Sequence, residues 1–159
     1  MTRAELTRLL ERLAPDLDAL SEPWMVIGSG AMILAGADWP DCADLDVATT
    51  AAGAKALEAA WAAWRLAGND PAPDGPFRSR FSRYEIPPGA VEVMGDLEVL
   101  GPDGWAPLAI RTPARHPMGG RTWPAPDLAE QVRILRRFGR PKDLVKAAFL
   151  QGSADLDRA

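Results

Sequence analysis

The sequence has few side chains that cross-link chains or bind soft metals, with one cysteine, Cys42, and one histidine, His116, in 159 residues. A single cysteine excludes an internal disulfide and a cysteine-based zinc site, so a reducing cytoplasm is the expected compartment. No membrane span is expected, because the longest candidate stretch, residues 24–37, is interrupted by Gly28 and is shorter than the roughly 20 apolar residues a bilayer requires. The N-terminal residues predict an amphipathic helix containing acids, which is unlike a secretory signal.

What remains is the composition of a globular protein. Apolar residues make up 47% of the chain and charged residues 25%, which excludes wholesale disorder. The 14 glycines and 15 prolines follow no repeat period, which indicates ordered loops rather than a fibrous protein or a linker. The length predicts one domain of ordinary size.

The net charge of −4 is distributed unevenly along the sequence. Residues 1–110 carry 8 basic and 17 acidic side chains, whereas residues 111–146 carry 9 basic and 3 acidic ones. An acidic body with a basic segment is not typical of a nucleic-acid coat protein. It is consistent with a metal site facing a phosphate-binding surface, or simply with two differently solvated surfaces.

Hydrophobic periodicity and turn residues predict alternating helices and strands, followed by a β-rich region and two final helices. Thr2 and Glu5 are spaced as a capping box for the first helix. The predicted helices cover residues 2–20, 31–36, 51–64, 127–138 and 141–151. The predicted strands cover 24–27, 44–48, 77–86, 90–94, 97–100 and 105–108. Loops are predicted over 69–76 and over the proline- and arginine-rich residues 111–126.

The most informative segment runs from Gly28 to Val47. A buried strand leads into Gly28-Ser29 and a short helix, so backbone N–H groups and the Ser29 hydroxyl are available to receive a phosphate. The next strand begins Asp44-Leu45-Asp46, which places the two carboxylates on one face of that strand. The pattern therefore predicts a phosphate site beside a pair of acids.

The paired acids point to a divalent cation. At about 4 Å, two carboxylates repel each other by roughly 4 kcal/mol at an effective dielectric near 20. No basic residue lies between Asp38 and Asp46 to relieve this repulsion. Mg²⁺ is commonly held by one or two carboxylates together with substrate phosphates. The simpler alternative is a polar strand start whose acids are solvated, which is the usual role of an isolated Asp-x-Asp.

A dinucleotide-binding fingerprint is excluded. The third glycine of that motif would fall at Ile33, and the helix is too short for the usual strand–helix–strand unit. The acids also begin the following strand rather than end it.

Strand–Gly28-Ser29, a short helix and then Asp44-Leu45-Asp46-Val47 resemble the signature of the polymerase-β-type nucleotidyltransferase superfamily. The similarity is greatest to the small bacterial members, the minimal nucleotidyltransferases and the toxin-type group associated with abortive infection. Glu92, within Val91-Glu92-Val93-Met94, is similar to the acid that completes the carboxylate set on a neighbouring strand. A Lys-Asp-Leu motif common in these small proteins is matched at residues 142–144.

This resemblance implies an α/β (α+β) fold, a mixed β-sheet flanked by helices, in a single domain over residues 1–159. The core would span about 5–110 and the C-terminal helical part about 127–151. It implies an enzyme that uses Mg²⁺ to transfer an NMP group from an NTP, such as ATP, to an acceptor hydroxyl, on a protein or a tRNA for example. Asp44, Asp46 and Glu92 would be the catalytic residues and hold the metal, while Gly28, Ser29 and Lys142 would bind the nucleotide.

The chain departs from the family pattern just before the paired acids. Members often carry a basic residue and a serine or threonine there, where this sequence has Asp41, Cys42 and Ala43, and Glu92 replaces the commoner aspartate. These differences motivate two alternatives. One is a catalytically degenerate binding module, such as the partner of a cognate toxin or antitoxin protein, and the other is an RNA-binding protein that uses the basic segment.

Overall fold

The computed structural model describes residues 1–68, 72 and 74–156, with side chains described as far as residue 152. Its helices are α1 (Arg3–Asp18), α2 (Gly28–Leu34), α3 (Ala51–Ala60), α4 (Leu128–Phe138) and α5 (Pro141–Leu156). Its strands are β1 (Trp24–Ile27), β2 (Asp44–Thr49), β3 (Arg65–Leu66), β4 (Phe77–Ile86), β5 (Gly89–Gly101), β6 (Gly104–Pro107), β7 (Pro113–Met118) and β8 (Arg121–Pro126). The predicted fold class, a mixed sheet flanked by helices, is confirmed.

The main sheet has the strand order β1-β2-β5-β4-β3. Strand β2 runs parallel to β5, whereas β1 and β4 run antiparallel to their neighbours. The long strand β5 pairs with β2 through its first half and with β6 through its second half. The sheet therefore places the acidic strand β2 directly beside the strand that carries Glu92.

Helix α1 covers the sheet with an apolar face, as its periodicity predicts. Leu6, Leu9, Leu10 and Leu13 are each 2% exposed or less and belong to the main core with Trp61. The predicted capping box is present, since the Thr2 hydroxyl accepts from the backbone N–H of Glu5 and the Glu5 carboxylate accepts from that of Thr2. No helix among the described residues is long and apolar enough to span a membrane.

The prediction of a loop over residues 111–126 was wrong, because the β7–β8 hairpin occupies most of this segment. Gly119 and Gly120 have φ values of 60° and 73°, as a tight hairpin turn between two strands requires. Met118, Trp123 and Ala125 are buried beneath the hairpin. Its prolines do not prevent strand pairing. Each strand of a two-stranded sheet has one edge without a partner strand, and a proline is tolerated where its missing N–H would have pointed to that edge.

Three other predictions change in detail. The runs predicted over 90–94 and 97–100 are one strand, with the pairing between β4 and β5 irregular near Gly95 and Asp96 adopting a φ of 50° rather than forming a turn. The helix predicted over 51–64 ends at Ala60 and is followed by a short 3₁₀ helix, Ala62–Trp64, in which Trp64 is 37% exposed. Helix α5 continues to Leu156. Residues 69–71 and 73 of the loop predicted over 69–76 lie outside the described residues.

The α4–α5 corner positions the last helix against the sheet. Helix α4 ends at Gly139, whose φ of 69° supplies the left-handed C-cap, and Pro141 is the first residue of α5. The Arg140 guanidinium donates to both oxygens of Asp143, at 2.6 and 3.0 Å, and the Asp143 side chain is 1% exposed. This pair, with a buried carboxylate and a guanidinium that is 37% exposed, joins the turn between α4 and α5 to the first turn of α5.

Candidate active site

A cavity of about 580 Å³ lies between one face of the main sheet and the α4–α5 corner. Its lining includes all six residues that the sequence assigns to the site: Gly28, Ser29, Asp44, Asp46, Glu92 and Lys142. A second cavity, of about 490 Å³, lies near the end of β2 and contains none of these six. The geometry thus brings residues from positions 28 to 142 of the sequence to one place.

Strand pairing explains why the three acids lie together. Asp44 and Asp46 are two residues apart on β2 and therefore share a face. Asp46 is directly opposite Glu92 in the parallel pair of β2 and β5. Neighbouring strands are about 4.8 Å apart, so Glu92 lies one strand spacing from Asp46.

Gly28 is required by the position of Asp46. The residue has a φ of 66°, a conformation that side chains disfavour, and a Cβ atom there would collide with Oδ2 of Asp46. The predicted Gly28-Ser29 turn is the first turn of α2, and Ser29 is buried. Gly28 therefore leaves room for a carboxylate beside the backbone.

The charge at Asp46 is poorly compensated. Burial, reinforced by the charges of Asp44 and Glu92, raises the pKa of Asp46 to about 8, against the opposing effect of Lys146 and Lys142. Among the described residues, none donates a hydrogen bond or forms an ion pair with this carboxylate. Burial and the charge of Asp44 also raise the pKa of Glu92, against the opposing charge of Arg83.

Asp44 and Glu92 share one cation. Nη1 of Arg83 donates to Oδ2 of Asp44 at 3.0 Å and also to Oε1 of Glu92. The Arg83 side chain is 27% exposed, and the two carboxylates are 23% and 22% exposed. The cavity thus holds three clustered carboxylates of which one arginine neutralises two.

The donor chemistry of the cluster fits a hard divalent cation. Carboxylate oxygens are the ligands that Mg²⁺ prefers, and the charge of Asp46 is only partly offset by Lys146 and Lys142. The described residues, however, contain no group of three or more histidine, cysteine, aspartate or glutamate side chains already arranged to hold a metal. The three carboxylates are chemically suited to the cation, but two of them, those of Asp44 and Glu92, are paired with Arg83 in this structure.

Sequence reasoning missed three cations of this cavity, Arg83, Arg140 and Lys146. Lys146 lies one helical turn after Lys142, so the i,i+4 spacing places both amino groups on one face of α5. That spacing was a usable signal. Burial lowers the pKa of Lys146, while the charges of Asp46 and Asp143 act in the opposite direction.

The basic segment 111–146 divides into two parts. Arg140, Lys142 and Lys146 line the cavity that contains the acids. Arg115 instead donates to Thr122 within the hairpin, and Arg121 pairs with Asp18 at 2.6 Å. The part of the segment on α5 therefore faces the acids, and the hairpin arginines do not.

The cavity also has an apolar part, away from the carboxylates along β4 and β5. Phe77, Phe81, Met94, Leu97 and Phe138 line it. The rings of Phe77 and Phe138 meet edge to face with centroids 4.9 Å apart, and the Arg140 guanidinium lies 4.6 Å from the Phe77 centroid. One cavity thus combines a charged end with an aromatic end.

Cys42 lies just before the acids on the chain and is buried. Burial chiefly, with smaller effects of Asp44 and Asp46, raises the pKa of its thiol to about 11. A thiol with such a pKa is a poor nucleophile at neutral pH. Cys42 is therefore not expected to act as a nucleophile in the site.

Comparison with known proteins identifies the fold. No protein-family model matches the chain, and no curated protein matches it in sequence. A candidate nucleotidyltransferase from Thermotoga maritima superposes with a TM-score of 0.76 at 24% identity, covering 98% of this chain and 96% of that one. The antibiotic-resistance factor ANT(2'')-Ia gives a TM-score of 0.63 at 12% identity, with 97% and 85% of the two chains covered.

A third solved structure, the lincosamide antibiotic adenylyltransferase LnuA, gives a TM-score of 0.59 at 14% identity, covering 95% of this chain and 97% of that chain. These superpositions extend over nearly the whole chain, including α4 and α5. The protein therefore has the fold of the small nucleotidyltransferases, as the sequence resemblance predicted.

Proposed function

We propose that this protein is a metal-dependent nucleotidyltransferase that moves an NMP group from an NTP to a hydroxyl of an acceptor. The observation that carries the proposal is the cluster of Asp44, Asp46 and Glu92 in one cavity with Lys142 and Lys146. A site that joins carboxylates for a cation with amino groups for phosphates has the charges that a metal–NTP complex requires.

Each side chain has a role in this proposal. Asp44, Asp46 and Glu92 would hold Mg²⁺, which when bound stabilises negative charge on the attacking and leaving oxygens. Lys142 and Lys146 bind the phosphates, and their placement on one helical face lets both contact the same triphosphate. Ser29 provides a hydroxyl donor at the turn, while Gly28 keeps the space for the Asp46 carboxylate.

The reaction is a substitution at the α-phosphorus. The acceptor oxygen forms a bond to that phosphorus, and the bond from phosphorus to the bridging oxygen breaks with its electron pair leaving on pyrophosphate. The acceptor proton is transferred to the Glu92 carboxylate. Glu92 is directly opposite Asp46 across β2 and β5, which places a carboxylate at the site to receive that proton.

The acceptor is proposed to be a small hydroxyl compound, with a protein or tRNA hydroxyl as the alternative. Two of the superposed structures are of proteins that act on antibiotics: LnuA was solved with lincomycin bound, and ANT(2'')-Ia with adenylyl-2''-tobramycin. The aromatic part of the cavity supports an acceptor or nucleobase with an apolar surface.

The test is binding and transfer with α-labelled NTPs in the presence of Mg²⁺. We expect each accepted NTP to raise Tm only when Mg²⁺ is present, and label to be transferred to acceptors from a panel of hydroxyl compounds and tRNA. The variant Asp44→Asn, Asp46→Asn should lose both effects, with at least a roughly 100-fold fall in transfer.

The matched control is Asp18→Asn, Asp103→Asn, which removes two carboxylates outside the cavity and should retain both effects. An unmutated protein that shows no Mg²⁺-dependent response to any NTP would contradict the proposal. A complex with a cognate toxin or antitoxin that survives the Asp44→Asn, Asp46→Asn change would then favour a binding module.

A further inference from the structure

Arg83 occupies a position that the proposed nucleotidyl transfer does not explain. Arg83 pairs with Glu92 between β4 and β5, and Glu92 pairs with Asp46 between β5 and β2. Three neighbouring strands thus place an arginine, a glutamate and an aspartate in one row. From the end of this row, the Arg83 guanidinium crosses Glu92 and reaches Asp44.

The contact uses a single nitrogen. Nη1 of Arg83 donates to Asp44 and to Glu92, so one NH₂ group lies in the gap between the two carboxylates. A metal ion held by the same two oxygens has to lie in that gap. Two positive groups cannot occupy it together, because they overlap in space and repel each other.

Other arginines of the same strand show that this arrangement is specific to the cavity. Arg80 donates from Nε and Nη2 to the two oxygens of Glu58, at 3.1 and 2.6 Å, and Arg78 makes the same kind of pair with Glu98. In those pairs one arginine serves one carboxylate. Arg83 alone among these three bridges two carboxylates.

The Arg83 side chain has space to move. It lines the main cavity, and it also lines a smaller cavity of about 260 Å³ beside β3, together with Arg65 and Leu66. Release from Asp44 and Glu92 therefore does not require the sheet to rearrange.

We propose that Arg83 is an internal counter-cation that competes with a divalent metal for Asp44 and Glu92, and that metal loading displaces its guanidinium. Arg83 is then a positioning residue that holds the carboxylates together before the metal binds. It lowers metal affinity relative to that of the same carboxylates without an arginine. This inference rests on the metal site of the proposed function but concerns the loading of that site rather than transfer.

The experiment measures Mn²⁺ binding directly, by titration followed through the EPR signal of the free ion, in the absence of NTP. Arg83→Met keeps a long side chain and removes the charge. We expect it to bind Mn²⁺ about 10-fold more tightly than the unmutated protein, the size of effect typical of a close charge pair. Its Tm without metal should fall, because the carboxylates lose their cation.

Arg80→Met is the matched control, since it removes a guanidinium from the same strand but outside the cavity. Its Mn²⁺ affinity should equal that of the unmutated protein. Equal affinity in Arg83→Met, or weaker affinity because Arg83 supports the bound metal, would overturn the competition. If neither protein binds Mn²⁺, the metal site is wrong as well, which the transfer assay shows independently.

A second measurement does not depend on the variant folding. In the ¹⁵N-labelled unmutated protein, Mg²⁺ should shift the side-chain Nε–H resonance of Arg83 and leave that of Arg80 in place. An Arg83 resonance that does not respond to saturating Mg²⁺ would refute displacement.

Discussion

The carboxylate of Asp46 in the cavity and that of Glu130 at the start of α4 have opposite surroundings. Glu130, on α4, is 4% exposed and accepts from Nε and Nη2 of Arg133, both at 2.7 Å, and from the backbone N–H of Arg111. The hydrogen bonds from Arg133, above all, hold the pKa of Glu130 below its ordinary value of 4.5. Asp46 has no such donors, and its pKa is raised to about 8.

The contrast shows that burial alone does not determine the state of a carboxylate. The fold itself provides every donor that Glu130 needs, so this side chain is structural. The described residues do not satisfy Asp46 in this way, because the nearby amino groups of Lys142 and Lys146 only partly offset the effect of burial on its pKa. A carboxylate that the fold leaves unsatisfied is where a ligand has the most to contribute.

Glu130→Gln has the largest expected effect. It removes the negative charge that accepts hydrogen bonds from the Arg133 guanidinium and from the backbone N–H of Arg111. We expect a loss of about 3 kcal/mol in the free energy of unfolding, because the Arg133 charge loses its partner. Urea denaturation at pH 7 measures this loss of unfolding free energy. Since the folded-state pKa is lowered, the contribution is present above pH 4.5 and is lost as the pH falls through the folded pKa. A constant difference between the two proteins down to pH 3 would contradict this account.

Gly28→Ala tests whether the backbone makes room for Asp46. We expect about 2 kcal/mol of destabilisation, from the left-handed conformation and from the collision with the carboxylate. Gly120→Ala is the matched control, because Gly120 has a similar φ of 73° and no atom near an added Cβ. It should cost only the conformational part, about 1 kcal/mol. Equal losses of unfolding free energy would show that Asp46 is not crowded against Gly28.

Asp46→Asn has the smallest expected effect on stability and the opposite sign. Asp46 has a folded-state pKa of about 8 and an ordinary value of 3.8, so the folded protein binds an extra proton between these values. Stability of the unmutated protein therefore falls as the pH rises from about 4 to 8.

The asparagine does not titrate, so the variant should be more stable above pH 8, by about 1 kcal/mol after allowing for solvent in the cavity, and the difference should shrink toward pH 4. Tm measured against pH without metal checks this, with Asp103→Asn as the control. If Tm depended on pH in the same way in the variant and in the unmutated protein, the pKa of Asp46 would not be raised, and its charge would be as well compensated as that of Glu130.

The sequence predicted the clustering of the three acids better than it predicted the cations around them. Alternation on β2 placed Asp44 and Asp46 on one face, and the location of Glu92 on a neighbouring strand agrees with its expected position. Their roles as metal ligands remain predictions. Arg83 was missed because its approach to Asp44 depends on which strands pair and in which register, and nothing local to residue 83 encodes that.

The β7–β8 hairpin was missed for a different reason. Prolines were read as loop residues, although Gly119-Gly120 between two segments is a recognised hairpin signal. What decided the structure was the burial of Trp123 and Ala125, which is a tertiary effect. Local propensity determined the helices, and long-range packing determined this hairpin.

The cavity joins β2 to α5, so the acids at residues 44 and 46 meet amino groups about one hundred positions later in the chain. During synthesis the acidic strand emerges early, and α5 emerges after every other described element. The growing chain therefore carries its carboxylates without their lysines until the final helix docks. The cavity can be completed only after α5 has emerged, and a ribosome-bound chain stopped before residue 141 would lack the lysines that we propose bind a triphosphate.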